Sequence, residues 1–145
     1  MSINMNPFVH TIVTLFLIRF FKLTGREKIF ALLFGVLIDL DHLIKIPLYF
    51  KKYGFKVVRH FRWRTPLQEP ISLLWIIPLA IYLDSWVPPL FFLSHIVLDY
   101  TMGYPKKPFF PFNNFEARKI QLKLSDAAKQ LITFLFFLCL NLLLP

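Results

Sequence analysis

An all-α, polytopic membrane bundle of about five helices is the fold this sequence predicts. Three observations carry that expectation. The chain is 57% hydrophobic, more apolar than an ordinary soluble domain of its length. Its apolar residues fall in several long runs separated by proline, glycine and basic clusters. Only 17% of residues are charged, yet the formal net charge is +9. Greasy and basic together fit a membrane protein whose Lys/Arg-rich loops face an anionic leaflet or a phosphorylated substrate. A basic nucleic-acid binder would share the charge but rarely the apolar runs, so no specific nucleic acid is expected. A length of 145 residues suits one domain, here a single integral membrane domain over 1–145. Cys139 is the only cysteine, which excludes an internal disulfide and a cysteine metal site. The first ten residues hold no basic n-region and no small-residue cleavage site, so no removable signal is expected.

The first run, Pro7–Phe21, carries His10 near its start and Arg19 near its end. It is short for a span and is lengthened by tilt or by snorkelling of Arg19 and Lys22. Lys22–Lys28 reads as a polar turn containing Gly25, and Ile29–Ile44 as a second helix stopped near Pro47. Lys45–Arg64 is a basic loop, and Leu67–Leu83 a third helix opened by Gln68-Glu69-Pro70. After a turn at Asp84-Ser85 and Pro88-Pro89, Leu90–Met102 forms the fourth helix, with His95 and Asp99. The stretch 103–124 is expected at the interface, as an irregular Pro/aromatic loop (Gly103–Asn114) and a short amphipathic helix (Phe115–Lys123). Ser125 reads as the N-cap of a fifth helix with Leu131–Leu144 as its apolar stretch.

Basic residues set the expected topology. Lys45, Lys51, Lys52, Lys56, Arg59, Arg62 and Arg64 crowd the second connection. Lys106, Lys107, Arg118, Lys119, Lys123 and Lys129 crowd the fourth, and the third has none. The positive-inside rule then gives a multi-pass protein of the cell membrane with a cytoplasmic N-terminus. In that topology His10, Asp39–His42, Glu69, His95 and Asp99 all fall toward the cytoplasmic side.

A carboxylate deep in apolar sequence is costly unless it is paired or bound to metal. The segment GVLIDLDH, Gly35–His42, holds three such polar groups. On a helix Asp39 and His42 share a face, while Asp41 serves as ligand or outer shell or pairs with Lys45. His95 and Asp99, four apart, project from one face toward one ion. His10, Asp41 and Glu69 are candidates to complete the shell. Four of the eight acids and three of the four histidines fall in this set. The competing reading neutralises each acid with a nearby Lys or Arg and leaves the histidines as core residues. Mixed nitrogen and oxygen donors suit Zn first, then Mn, Fe or Ni, and not Ca; the set is large enough for one or two ions. Arg59, Arg62 and Arg64 are either headgroup anchors or a phosphate clamp, with Arg64 nearest the site. His60 is read as solvated, and Trp63, Trp75 and Trp86 as interface or packing residues.

GVLIDLDH, Arg64 ahead of an apolar helix, and SHIVLDYTMGYPKKPFFPF together resemble the LexA-binding, inner-membrane-associated metal-dependent hydrolases. The resemblance runs through roughly the first 112 residues, with its specific motifs in the second and fourth elements. It places His10, Asp39, Asp41, His42, His95 and Asp99 on that family's metal positions. Ile38 stands where the family has proline. RTPLQEP stands where it has Arg-Gly-x-Thr-His-Ser, keeping Arg64 and putting Gln68-Glu69 in place of His-Ser. A carboxylate can replace an imidazole as ligand, which is the role this gives Glu69; the alternative is a chain that has lost the chemistry.

The resemblance implies a hydrolase. Its site would lie at headgroup depth among basic residues, so the expected substrate is a phosphoester of a lipid or another amphiphile. Asp41 or Glu69 would act as general base and Arg64 would steady the phosphate. The expected partners are membrane lipids, with room for a homo-oligomer. A metal-ion or proton carrier using the same residues is a second reading. It calls for polar residues continuing to the far face, and helices three and five offer almost none. A membrane adaptor with a structural metal is a third.

Overall fold

The computed structural model describes residues 6–40, 51, 66–102, 107–113, 115, 117 and 124–144. Among these it holds five α-helices and no strand: α1 (Asn6–Phe20), α2 (Gly25–Gly35), α3 (Leu73–Tyr82), α4 (Val87–Thr101) and α5 (Asp126–Leu143). The all-α expectation is met.

Two helical hairpins form the frame, and both turn by the same device. After α1, Leu23 N–H bonds the Ile18 carbonyl and Lys22 N–H the Arg19 carbonyl, with Lys22 left-handed at φ 53°. After α3, Ser85 N–H bonds the Ala80 carbonyl and Asp84 N–H the Ile81 carbonyl, with Asp84 left-handed at φ 49°. Each is a Schellman closure, which ends a helix and reverses the chain within a few residues. Leu23 and Ile18 share one core cluster, the apolar contact that usually accompanies this closure.

Helix α4 is the hub. Phe91, Phe92 and His95 are fully buried. Phe91 packs with Ile18, Ala31 and Val87 against the first hairpin, and Phe92 and Ile96 pack on Ile76 of α3. Helix α5 joins α1 side by side. Phe134 and Phe137 cover Val9, Val13 and Met102. Asn141, buried in the apolar α5, donates Nδ2 to the Ile12 and Phe137 carbonyls at 3.1 and 2.9 Å. Arg19 caps the end of α5, donating to the Asn141 and Leu144 carbonyls at 2.6 and 2.8 Å. Backbone carbonyls thus accept from both side chains.

Several expected boundaries are corrected. Helix α2 begins at Gly25 rather than Ile29 and ends at Gly35 instead of running to Ile44. Val36 leaves helical geometry (φ −129°, ψ −57°), and Leu37–Leu40 tighten into a 3₁₀ turn that carries Asp39. The third element opens as two 3₁₀ turns, Pro66–Gln68 and Pro70–Ser72, before α3. Proline lacks the N–H that a continuous helix would need there. Pro88 and Pro89 lie inside the first turn of α4, where that missing N–H costs nothing. Ser125 caps α5 as expected, its Oγ accepting Ala128 N–H at 3.1 Å. Of the expected amphipathic helix Phe115–Lys123, the described residues Phe115 and Ala117 are not helical.

Among the described residues one helix, Asp126–Leu143, is long and apolar enough to cross a membrane. Pro7–Phe20 and Pro70–Tyr82 are apolar but shorter. Leu131, Ile132, Leu135 and Phe136 of α5 are exposed, so this is not a helix hidden in a core.

Candidate metal centre

The hairpins leave their open ends at one side of the bundle, and the polar residues meet there. His10 lies in the second turn of α1, Asp39 just past α2, Gln68 just ahead of α3, and His95 and Asp99 one turn apart on α4. His10 and His95 are 1% and 0% exposed, an environment that tolerates polar atoms only when they are satisfied.

Gly35 is why α2 can deliver Asp39. A Cβ at that position would stand 2.4 Å from Thr14 Oγ1 and 3.3 Å from Phe91, so only glycine lets α2 press this closely on α1 and α4. That approach brings the Gly35 carbonyl to 3.2 Å from His95 Nδ1. A carbonyl only accepts, so Nδ1 carries a proton, and in the neutral ring Nε2 presents a lone pair. That lone pair faces Asp39 Oδ1 at 3.3 Å and Asp99 Oδ2 at 3.6 Å, without a hydrogen bond to either. A lone pair aimed at two carboxylate oxygens is repulsive, so a proton or a metal ion belongs between them. An imidazole fixed through Nδ1–H to a backbone carbonyl, with Nε2 free to coordinate, is the usual posture of a metal-binding histidine.

Other polar contacts gather at the same place. His10 Nε2 lies 3.1 Å from Asp99 Oδ1, and the His10 ring stacks on His95 with centroids 4.0 Å apart. Gln68 Nε2 donates to Asp39 Oδ1 at 3.0 Å and so fixes the carboxylate's orientation. Potential ligand atoms of His10, Asp39 and His95 all lie within 4.8 Å of one another. Two imidazoles and two carboxylates are donors of the kind that divalent Zn, Mn, Fe or Ni takes.

The structure thus brings together His10, Asp39, His95 and Asp99 from the set expected from the sequence. Glu69 is buried, but its Oε2 accepts the Lys107 N–H at 2.6 Å, which ties the segment after α4 to the start of the third element. Asp41, His42 and Arg64, together with His60 and all of the expected basic loop but Lys51, which is helical and exposed, lie outside the described residues. Sequence reasoning missed Gln68 as the residue that positions Asp39 and Gly35 as the carbonyl that orients His95. In the sequence Gln68 stood out as a polar residue opening an apolar helix and, with Glu69, as what replaces His-Ser in the resemblance.

The Glu69 tie predicts a local effect. A hydrogen bond to a carboxylate contributes about 1.5–3 kcal/mol, so Glu69→Ala should raise opening of the 107–113 segment about tenfold or more. Limited chymotrypsin digestion after Phe109 and Phe112 reads this. Cleavage at the wild-type rate would show that the bond does not restrain the segment.

Compared with protein-family models, curated proteins and solved structures, the chain matches none.

Proposed function

We propose that this chain is a membrane-embedded, metal-dependent hydrolase acting on a phosphoester of a lipid or another amphiphile. The observation that carries the metal reading is His95, whose Nδ1 is committed to Gly35 while Nε2 faces Asp39 and Asp99. His10, Asp39, His95 and Asp99 would hold the ion, with Zn first among the candidates. A divalent ion there would polarise a phosphoryl oxygen and make a bound water acidic.

The chain's own residues divide the remaining work. Gln68 holds Asp39 in register, and Gly35 holds His95. Asp41 takes the proton from water, and Arg64 steadies the phosphate; these roles come from their sequence positions beside the site, while Glu69 is committed to the Lys107 amide. The membrane placement draws on α5, on exposed apolar residues on the shorter helices (Leu15, Leu33, Ile77 and Val97), and on the basic connections. In this reading the chain crosses several times with its N-terminus in the cytoplasm, and the site opens at headgroup depth. The resemblance to the LexA-binding, inner-membrane-associated hydrolases points to the same reaction class.

The test is turnover by the full chain in mixed micelles, loaded with Zn or Mn and offered bis-p-nitrophenyl phosphate and phospholipid mono- and diesters. Product release that needs the metal and is lost in Asp39→Ala is the expected result. No release from any of these by metal-loaded protein would overturn the hydrolase reading.

A further inference from the structure

The way the two histidines stack bears on how many ions the site holds. Their rings are 4.0 Å apart and only 19° from parallel. A ring nitrogen's lone pair lies in the plane of its ring. Two nearly parallel planes do not bring their lone pairs together within a metal–nitrogen bond of about 2.0–2.1 Å. Both Nε2 atoms nonetheless face the same way, because they reach the two oxygens of one carboxylate. His10 Nε2 lies 3.1 Å from Asp99 Oδ1, and His95 Nε2 lies 3.6 Å from Asp99 Oδ2. Side by side, the two nitrogens address separate positions on the order of 4 Å apart, the spacing of two-metal sites.

The donor spacing at the first position agrees with this. Donor atoms about 2.0–2.1 Å from one tetrahedral ion lie roughly 3.3–3.4 Å from each other. His95 Nε2 to Asp39 Oδ1, at 3.3 Å without hydrogen-bond geometry, has that separation. We propose that the centre is built for two divalent ions bridged by Asp99. One is held by His95, Asp39 and Asp99 Oδ2, and the other by His10 and Asp99 Oδ1. This rests on the metal reading above and assigns His10 to a second position instead of the first. Bridged ions at this spacing can hold both the attacking and the leaving oxygen of a phosphoester, the arrangement suited to in-line displacement.

The experiment uses the full chain in detergent, stripped with chelator and titrated with Mn(II). Bound metal is measured by elemental mass spectrometry and the spin state by low-temperature electron paramagnetic resonance. The expected result is two Mn(II) per chain and an exchange-coupled spectrum at saturation. His10→Ala should fall to one ion with the six-line spectrum of isolated Mn(II), and Asp99→Asn should lose the coupling. Saturation of the wild type at one uncoupled ion overturns the two-ion centre and leaves the hydrolase reading standing. Binding of no ion overturns both. The wild-type stoichiometry decides the matter even where a variant fails to fold.

Discussion

Gly35→Ala is expected to destabilise the protein by about 1–3 kcal/mol, the usual cost of forcing a methyl into a packed interface. The added Cβ would meet Thr14 Oγ1 at 2.4 Å and Thr14 Cγ2 at 3.2 Å, so rotating the threonine exchanges one clash for the other. Thr14 is itself buried and has nowhere to move. Relief would come from α2 backing away, and that would carry the Gly35 carbonyl from His95 and Asp39 from the cluster. Thermal unfolding in detergent should therefore fall together with metal affinity. Adding Thr14→Ala should restore much of both, leaving the milder contact with Phe91 at 3.3 Å. A Gly35→Ala protein with wild-type stability and metal content would show that the close helix approach does not shape the site.

The second large effect is on the ion itself. His95→Ala is expected to weaken Zn binding more than 100-fold, since it removes the donor that the Gly35 carbonyl and the two carboxylates converge upon. Gln68→Ala should cost less, about 10–100-fold, as is typical for a residue that orients a ligand without touching the metal. Competition with a chromophoric chelator reads both. The order matters as much as the size. A Gln68→Ala loss larger than that of His95→Ala would mean that the glutamine, not the histidine, is the anchor of the site.

How far the sequence could be read depended on the physical scale of each feature. The helices α1 and α5 follow from apolar runs and from Ser125 as a cap, both local properties. The pairing of His95 with Asp99 follows from helical spacing alone. Convergence of His10 and Asp39 on that pair was legible from the basic connections, because alternating topology puts helix starts and ends at the same level. What the sequence concealed were events that depend on neighbours in space. An apolar run extends smoothly through Gly35 into Leu40, and nothing local says that α2 ends at Gly35, where Thr14 and Phe91 close on it. Pro66 and Pro70 break the start of the third element into 3₁₀ turns, which turns Gln68 toward Asp39 and leaves Glu69 to the Lys107 amide. The tautomer of His95, on which the metal reading turns, is set by a backbone carbonyl sixty residues away.

The most direct test of the metal centre is the metal content of the full chain, purified in detergent without chelator and measured by elemental mass spectrometry beside Asp39→Ala and His95→Ala. At least one equivalent of a divalent transition metal in the wild type, lost in both variants, is the result expected from the geometry. A wild-type chain that holds no ion even after reconstitution with Zn, Mn and Ni would contradict it, and the histidines and aspartates would then form a proton-sharing network within the bundle.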